Sequence, residues 1–197
     1  MEDALIIFIK NPILGKVKTR IAATVGDEMA LKVYLALSNY TQTIALTITA
    51  ARLLYYDAFI PELDVWSATD FIKRLQQGDE LGSKMHNAFV DALTHHRKAV
   101  IIGSDCATLE TIHIQKAFEE LEQHDVVIGP STDGGYYLLG IKQVAGFLFE
   151  NMVWSTETVL EETLKRVSQA GKSYYLLPEL TDIDYWEDWE RFGWKLS

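Results

Sequence analysis

Short apolar runs alternate with longer amphipathic segments along this 197-residue chain. Runs such as ALIIFI and AVIIG are apolar at nearly every position, which is typical of strands covered on both faces. The runs predict strands at residues 4–9, 52–56, 99–103, 125–129, 136–141 and 173–177. Between most of them, apolar residues recur at helical spacing. That spacing predicts helices at residues 27–49, 81–93, 112–121, 158–170 and 183–192.

This alternation of strands and helices predicts an α/β fold. Buried strands separated by helices form a mostly parallel, twisted sheet with helices on its faces, so we expect a three-layer sandwich. The chain is long enough to bury a substantial core and contains no evident linker or repeat. We therefore expect one domain over residues 1–197. Ligands of such sheets bind beyond the carboxyl ends of the strands, so polar residues that directly follow strands carry the functional information.

The charge balance limits the partners that the protein can have. Its formal net charge of −10 argues against a general nucleic-acid binder, because phosphate backbones require broad basic surface. The single cysteine rules out an internal disulfide and fits a reducing compartment. No apolar run is long enough to span a bilayer, and no signal peptide is evident. We therefore expect a cytoplasmic location, no nucleic-acid partner and no membrane span.

The segment KNPILGKVKTR, which follows the first predicted strand, concentrates positive charge in this acidic chain. Its basic residues are Lys10, Lys16, Lys18 and Arg20. The segment is not a nucleotide P-loop, because Lys10 occupies the position of that motif's first glycine and no Ser or Thr follows Gly15-Lys16. It favours an anion site, in which basic side chains bind a phosphate and Gly15 lets the backbone approach it. A solvated charged loop is the alternative.

Carboxylates follow two later strands and precede the last predicted helix. Asp105, in GSDC, could hold a divalent cation or cap the next helix. Asp133 begins the sequence DGGYY, which suits either close contact with a ligand or a tight hairpin turn. Asp182 and Asp184 share one face of an extended segment, as two metal ligands would, although Asp184 could instead cap the last helix together with Glu187. Cys106 is expected to be a buried structural residue, because no general base is evident for it.

Taken in order, these segments resemble the motifs of a known family, the bacterial glycosyltransferase-like nucleotide-diphospho-sugar transferases. KNPILGKVKTR is similar to the family's PGRVKTRL, and the segment at residues 78–89, GDELGSKMHNAF, is similar to LGERM..AF. GSDCATL resembles GTDSPDL, and PSTDGGYYLLG resembles PA.DGGYYLIG. VWST matches WST, and DIDYWED resembles DIDT.ED. The resemblance covers residues 4–192, and six motifs in order are far more specific than any one of them.

The resemblance implies a GT-A-like, Rossmannoid nucleotide-diphospho-sugar transferase fold, which is related to small guanylyltransferases. It also implies roles for individual residues. The phosphates of the nucleotide are expected at Gly15, Lys16, Lys18 and Arg20. Mg²⁺ or Mn²⁺ is expected at Asp105 and Asp184, with Asp182 as the second choice. The remaining binding residues, on the acceptor side, are Gly134, Gly135 and Tyr136, together with Asp133.

We therefore expect a metal-dependent transferase that moves a sugar from a nucleotide-diphosphate donor to a small-molecule acceptor. Asp105, Asp133 and Lys18 are the expected catalytic residues. One alternative is a nucleotidyltransferase that activates a small phosphorylated acceptor with a nucleoside triphosphate. A second is a non-catalytic nucleotide-binding domain, because Cys106 and Ala107 replace the family's Ser-Pro and Tyr185 replaces its threonine.

Overall fold

A computed structural model describes residues 2–196 of the chain. It contains one seven-stranded sheet in the order β3-β2-β1-β4-β6-β5-β7. The strands are β1 (Ala4–Ile9), β2 (Ala51–Tyr56), β3 (Ile72–Leu75), β4 (Ala99–Ile102), β5 (Val126–Pro130), β6 (Tyr136–Ile141) and β7 (Tyr174–Leu176). The helices are α1 (Thr19–Val25), α2 (Asp27–Leu46), α3 (Leu81–His95), α4 (Thr111–Glu120), α5 (Val159–Gln169) and α6 (Trp186–Phe192).

The sheet is mostly parallel, as predicted. Neighbouring strands run parallel from β3 through β2 and β1 to β4, and β7 runs parallel to β5. Only β6 is antiparallel, because it returns directly from β5 and inserts between β5 and β4. The turn between β5 and β6 is the DGG segment, so its hairpin interpretation is confirmed. The prediction of a single domain over residues 1–197 extends beyond the described range at Met1 and Ser197, and it stays a prediction.

Alternating side chains of the strands form two separate core layers. Ile7 of β1 packs on one face with apolar residues of α2 and α4, such as Ile44 and Ile114. Ile6 packs on the opposite face with residues of α3 and α5, such as Phe89 and Val167. Because both faces are covered, the strands are apolar throughout, which explains their continuous hydrophobic runs. The predicted three-layer sandwich is thereby confirmed.

Several boundaries differ from the sequence-based expectation. Helix α1 and strand β3 were not predicted, because each is short and carries exposed polar residues. The last helix begins at Trp186, not at residue 183, because the Ile183 amide donates to the carbonyl oxygen of Asp105 at 2.8 Å. Asp184 consequently does not cap this helix with Glu187. Tyr185 is the N-cap residue, and Asp188 accepts its amide hydrogen bond at 2.8 Å. Within residues 2–196, no helix is long and apolar enough to cross a membrane.

Candidate functional site

A cavity of about 710 Å³ lies at the carboxyl ends of the central strands. Its lining comes from the basic loop after β1, the GSD segment after β4, the β5–β6 hairpin and the segment that precedes α6. The fold therefore brings together segments that are far apart in the chain, such as Arg20 and Asp184, which are 164 positions apart. The predicted site residues that line the cavity are Lys16, Lys18, Arg20, Asp105, Asp133, Gly135, Tyr136, Asp182 and Asp184.

Lys18 is directed inward from the basic loop. It is the N-cap residue of α1 and has a left-handed backbone conformation, with φ of 48°. Its Nζ atom donates to Oδ1 of Asp105 and to the carbonyl oxygen of Ile183, at 2.7 Å in each case. The Lys18 side chain is only 5% exposed, whereas that of Asp105 is 47% exposed. Lys18 thus joins the first loop to two distant segments, and Asp105 keeps an accessible oxygen.

Arg20 forms a second ion pair across the cavity. Its Nη1 atom lies 2.6 Å from Oδ2 of Asp184, and its guanidinium lies 5.7 Å from the centroid of the Tyr185 ring. The Arg20 side chain is 58% exposed, so this pair lies at the rim and is easily exchanged for other partners. Two of the predicted phosphate-binding cations therefore pair with two of the predicted metal-binding carboxylates.

The segments that carry Asp105 and Asp182 are joined through their backbones. Cys106 and Asp182 form an isolated antiparallel bridge, and the Ile183 amide donates to Asp105. Burial, and secondarily the charges of Asp105 and Asp133, raises the pKa of Asp182 to about 7. Asp105 is not a helix cap, since α4 begins six residues later, at Thr111. The charge of Lys18 offsets only part of this effect, so the two carboxylates form a partly buried acidic pair that a further cation would stabilise.

The β5–β6 hairpin holds Asp133 in a fixed orientation. The Ser131 hydroxyl donates to Oδ1 of Asp133, and the Gly135 amide donates to the same oxygen at 2.9 Å. Gly134 has φ of +86°, and a Cβ atom there would lie 2.0 Å from the carbonyl oxygen of Glu157. Gly134 therefore lets the hairpin pack against the segment before α5, and it does not line the cavity.

Gly15 also lies outside the cavity lining. It has φ of +73°, so it turns the basic loop in a conformation that favours glycine. Cys106 is 4% exposed, and burial raises the pKa of its thiol to about 11, which agrees with a structural role. The ligand-binding roles predicted for Gly15 and Gly134 stay predictions.

The donor set fits a divalent cation that takes further ligands from a substrate. Among residues 2–196, no group of three His, Cys, Asp or Glu side chains is placed to hold a metal ion. Asp105 and Asp182 both line the cavity and interact through their charges, and Mg²⁺ commonly binds through one or two carboxylates together with phosphate oxygens. The site therefore suits a metal ion that arrives with a polyphosphate better than one held by protein ligands alone.

Sequence reasoning missed two residues of the cavity. Lys84, on the first turn of α3, lines the cavity and forms no ion pair with any residue from 2 to 196. Trp154 also lines the cavity, immediately before Ser155, and rests on α3 at Gly82. Both lie in segments that carry the family resemblance, GDELGSKMHNAF and VWST. The motifs therefore indicated these segments, although the chemistry of the individual residues did not indicate a role for Lys84 or Trp154. Lys10 and Lys16 also line the cavity without an ion-pair partner in the described part of the chain.

A similar solved structure shares most of this architecture. A protein from Desulfovibrio desulfuricans G20, described as a "putative nucleotide-diphospho-sugar transferase", is 28% identical, with a TM-score of 0.87. The alignment covers 93% of this chain and 82% of that one. This similarity confirms the predicted resemblance and fold, and it supports the predicted transferase class.

More distant structures share the fold alone. The inositol-1-phosphate CTP transferase of T. maritima has a TM-score of 0.58 and 14% identity, over 95% of this chain and 91% of that one. Rv0371C of Mycobacterium tuberculosis H37Rv, in complex with manganese, has a TM-score of 0.54 and 10% identity, over 98% of both chains.

A family model also matches the sequence directly. It covers residues 34–156, which include β2 to β6 and the GSD and DGG segments that line the cavity. No curated protein sequence matches the chain. Since the model spans more than half of the sequence, the chain belongs to the family described as "Uncharacterized protein conserved in bacteria (DUF2064)".

Proposed function

We propose that this protein is a metal-dependent transferase that moves a sugar from a nucleotide-diphosphate donor to a small-molecule acceptor. One observation carries the proposal: the cations of the first loop meet the carboxylates of two other segments within a single cavity. The ion pair of Lys18 with Asp105, at 2.7 Å, is the centre of this arrangement. The similarity to the D. desulfuricans protein supports the nucleotide-sugar donor over other donors.

The diphosphate of the donor would bind along the basic loop. Lys16 lines the cavity and is exposed and unpaired among the described residues, so it can bind an anion without breaking an existing contact. Arg20 would exchange Asp184 for phosphate at little cost, since exposed ion pairs contribute roughly 0–1 kcal/mol. Lys18 is buried, so we expect it to stay near Asp105 and to stabilise the charge of the leaving diphosphate from there.

Asp105 and Asp182 would hold Mg²⁺ or Mn²⁺, with Asp184 becoming available as Arg20 turns to phosphate. A divalent cation in this position would neutralise charge on the diphosphate as it leaves. The pairing of segments 105–106 and 182–183 fixes the two carboxylates relative to each other. That fixed geometry reduces the reorganisation required when the donor binds.

Asp133 would act on the acceptor side of the cavity. Its Oδ1 atom is already bound to Ser131 and Gly135, which leaves Oδ2 to receive a proton. In the transfer, the acceptor oxygen forms a bond to the anomeric carbon while the bond from that carbon to the diphosphate breaks. The nucleoside diphosphate leaves with the electron pair, and the acceptor proton passes to Asp133.

Nucleotidyl transfer is the second candidate. The CTP transferase of T. maritima shares the fold, and a polyphosphate could occupy the same loop and carboxylates. The two candidates differ in the nucleotide that binds productively with the metal, a nucleotide sugar or a nucleoside triphosphate. A non-catalytic binding domain would bind either ligand without turnover.

Binding measurements with and without Mn²⁺ separate these candidates. Melting temperatures are measured with UDP-glucose, GDP-mannose, CTP and GTP, since a bound ligand stabilises the folded state by mass action. Metal-dependent stabilisation by a nucleotide sugar, followed by release of nucleoside diphosphate, supports the proposal. Stabilisation by triphosphates alone supports nucleotidyl transfer.

Asp105→Asn should abolish the effect of the metal, whereas Asp70→Asn, which changes an exposed carboxylate, should preserve it. A metal effect that survives Asp105→Asn would contradict the assigned site.

A further inference from the structure

The cavity extends onto the second face of the sheet. Along β1, Ile9 faces the α2 and α4 layer, whereas Phe8 faces the α3 and α5 layer. Both residues line the cavity, which therefore crosses the end of the sheet. On the α3 side its lining is apolar and aromatic. We name this part the aromatic recess, and it is lined by Phe8, Met85, Ile101, Tyr136, Leu139 and Trp154.

Trp154 is held firmly in the wall of the aromatic recess. Its ring stacks on Phe149 with an interplanar angle of 19° and a centroid distance of 6.4 Å, and it meets Tyr136 edge-on at 6.5 Å. Its other side rests on α3 at Gly82, where an added Cβ atom would lie 2.4 Å from Nε1. The following residue, Ser155, has φ of 61°, a strained value for a side-chain-bearing residue. Packing contacts and the strained backbone of the next residue thus fix the position of the Trp154 indole ring.

Unpaired polar atoms gather around this ring. Four buried side-chain nitrogen or oxygen atoms within residues 2–196 lack a hydrogen-bond partner. Three of them belong to this aromatic cluster: Nε1 of Trp154, the hydroxyl of Tyr136 and Nδ1 of His86, whose ring packs on Phe149. Thr163, beside the Tyr136 hydroxyl, donates its own proton to the Val159 carbonyl. All three atoms are closed off from solvent, so they lie behind the wall of the recess and do not face its open space.

The recess offers apolar and aromatic area and no charged side chain. Its six lining residues include no carboxylate, amine, guanidinium or imidazole, whereas the cations and carboxylates of the cavity lie on the basic loop, at the start of α3 and on the Asp105 side. A phosphate or carboxylate placed in the recess would lose its hydration without gaining a counter-charge. An uncharged ring compound loses little, because its apolar face packs on the indole while its hydroxyls stay in the open part of the cavity.

We propose that the aromatic recess binds the acceptor, and that the acceptor is an uncharged ring compound that bears the reacting hydroxyl. The inference rests on the proposed transfer function, and it favours glycosyl over nucleotidyl transfer because the latter was expected to use a phosphorylated acceptor. Trp154 positions the ring by packing against its apolar face. Asp133, on the hairpin that leads into Tyr136, then lies on the same side as the acceptor.

Two glucose derivatives test this assignment without a donor. Phenyl β-D-glucopyranoside is uncharged and has an apolar ring, whereas glucose 6-phosphate is anionic. With 5-fluorotryptophan incorporated, ¹⁹F NMR follows all five tryptophans, and the Trp154→Phe variant identifies the resonance of Trp154. We expect phenyl glucoside to shift that resonance and to bind at least roughly ten-fold more tightly than glucose 6-phosphate. Equal or tighter binding of glucose 6-phosphate would overturn the proposal.

Variants then locate the binding. Trp154→Ala should weaken phenyl glucoside by roughly ten-fold or more, and the milder Trp154→Phe should weaken it several-fold while keeping the fold. Trp194→Ala is the matched control, because Trp194 packs on Tyr40 and Trp189 away from the recess. The affinity for the nucleotide-sugar donor should not change in any of these three variants. If both Trp154 variants bind the donor and phenyl glucoside as tightly as the wild type does, the assignment of the recess is wrong. If no nucleotide sugar binds the wild type, the proposed function itself is wrong, whatever the Trp154 variants show.

Discussion

Asp182→Asn provides the sharpest test of the acidic pair. The pKa of Asp182 is raised from 3.8 to about 7 by burial and by the charges of Asp105 and Asp133. Between these pH values the folded protein binds a proton that the unfolded chain has lost, so the contribution of Asp182 to stability falls as the pH rises from about 4 to about 7. Above pH 7 the carboxylate is charged in both states, and the folded state bears the full electrostatic cost.

The size of this cost follows from the raised pKa. Each pKa unit corresponds to about 1.4 kcal/mol, so a rise of about three units sets an upper limit of about 4 kcal/mol. Asparagine has nearly the same shape without the charge. We therefore expect Asp182→Asn to stabilise the protein by about 2–4 kcal/mol at pH 8 and by almost nothing at pH 4, with a rise in melting temperature at pH 8 of roughly 4–16 °C.

Urea unfolding of wild type and variant, in EDTA and at several pH values, measures this difference directly. Asp70→Asn is the control, because Asp70 is exposed and lies away from the cavity. A stability gain of equal size at pH 4 and pH 8, or no gain at pH 8, would refute the electrostatic argument. Mn²⁺ together with a bound nucleotide should stabilise the wild type more than the variant, because a cation relieves the same repulsion.

Three further predictions concern the loop, the hairpin and the thiol. Lys18→Met should destabilise the protein by about 1–3 kcal/mol, because it leaves Asp105 and the Ile183 carbonyl without their shared donor. Arg20→Ala should reduce the stability by under about 1 kcal/mol and mainly weaken nucleotide binding. Urea unfolding measures the stability of each variant, and titration calorimetry measures its nucleotide affinity. Gly134→Ala should lower the free energy of unfolding by more than about 2 kcal/mol. Gly171 has a similar φ but open space around it, so Gly171→Ala should lower the free energy of unfolding by only about 1 kcal/mol. Equal losses in urea unfolding would argue against the contact between Gly134 and Glu157. Cys106 should react with a thiol reagent only after unfolding, and rapid reaction of the native protein would contradict its burial.

Much of the fold was predictable because its strands are buried on both faces. Continuous apolar runs then mark every central strand, and β1 and β6 begin and end where the sequence placed them. Helix α1 and strand β3 escaped prediction for the opposite reason: α1 has seven residues and β3 has four, and neither buries a full apolar stripe. Short elements are stabilised by tertiary contacts, which a local pattern does not contain.

The sequence predicted which residues line the cavity better than it predicted the contacts between them. Asp105, Asp182 and Lys18 could be named because each lies next to a strand end or in a recognisable motif. The sequence did not indicate that Lys18 turns inward to Asp105, since that contact joins positions 87 residues apart through a left-handed backbone conformation. Trp154 was also missed, because its importance arises from Gly82 and Phe149, which meet it only in the folded chain.

The proposed function, together with the ion pairs, gives a reason for the basic first loop of this acidic protein. In the free protein, Lys18 and Arg20 neutralise Asp105 and Asp184, so the cavity gathers cations without accumulating net positive charge. A diphosphate that arrives alone would compete with these carboxylates for the cations, and a divalent metal that arrives alone would compete with the cations for the carboxylates. A diphosphate and a metal that arrive together satisfy both sets at once. Under the proposed function, the paired arrangement would discriminate against either partner by itself, and the basic loop would act in selection as well as in binding.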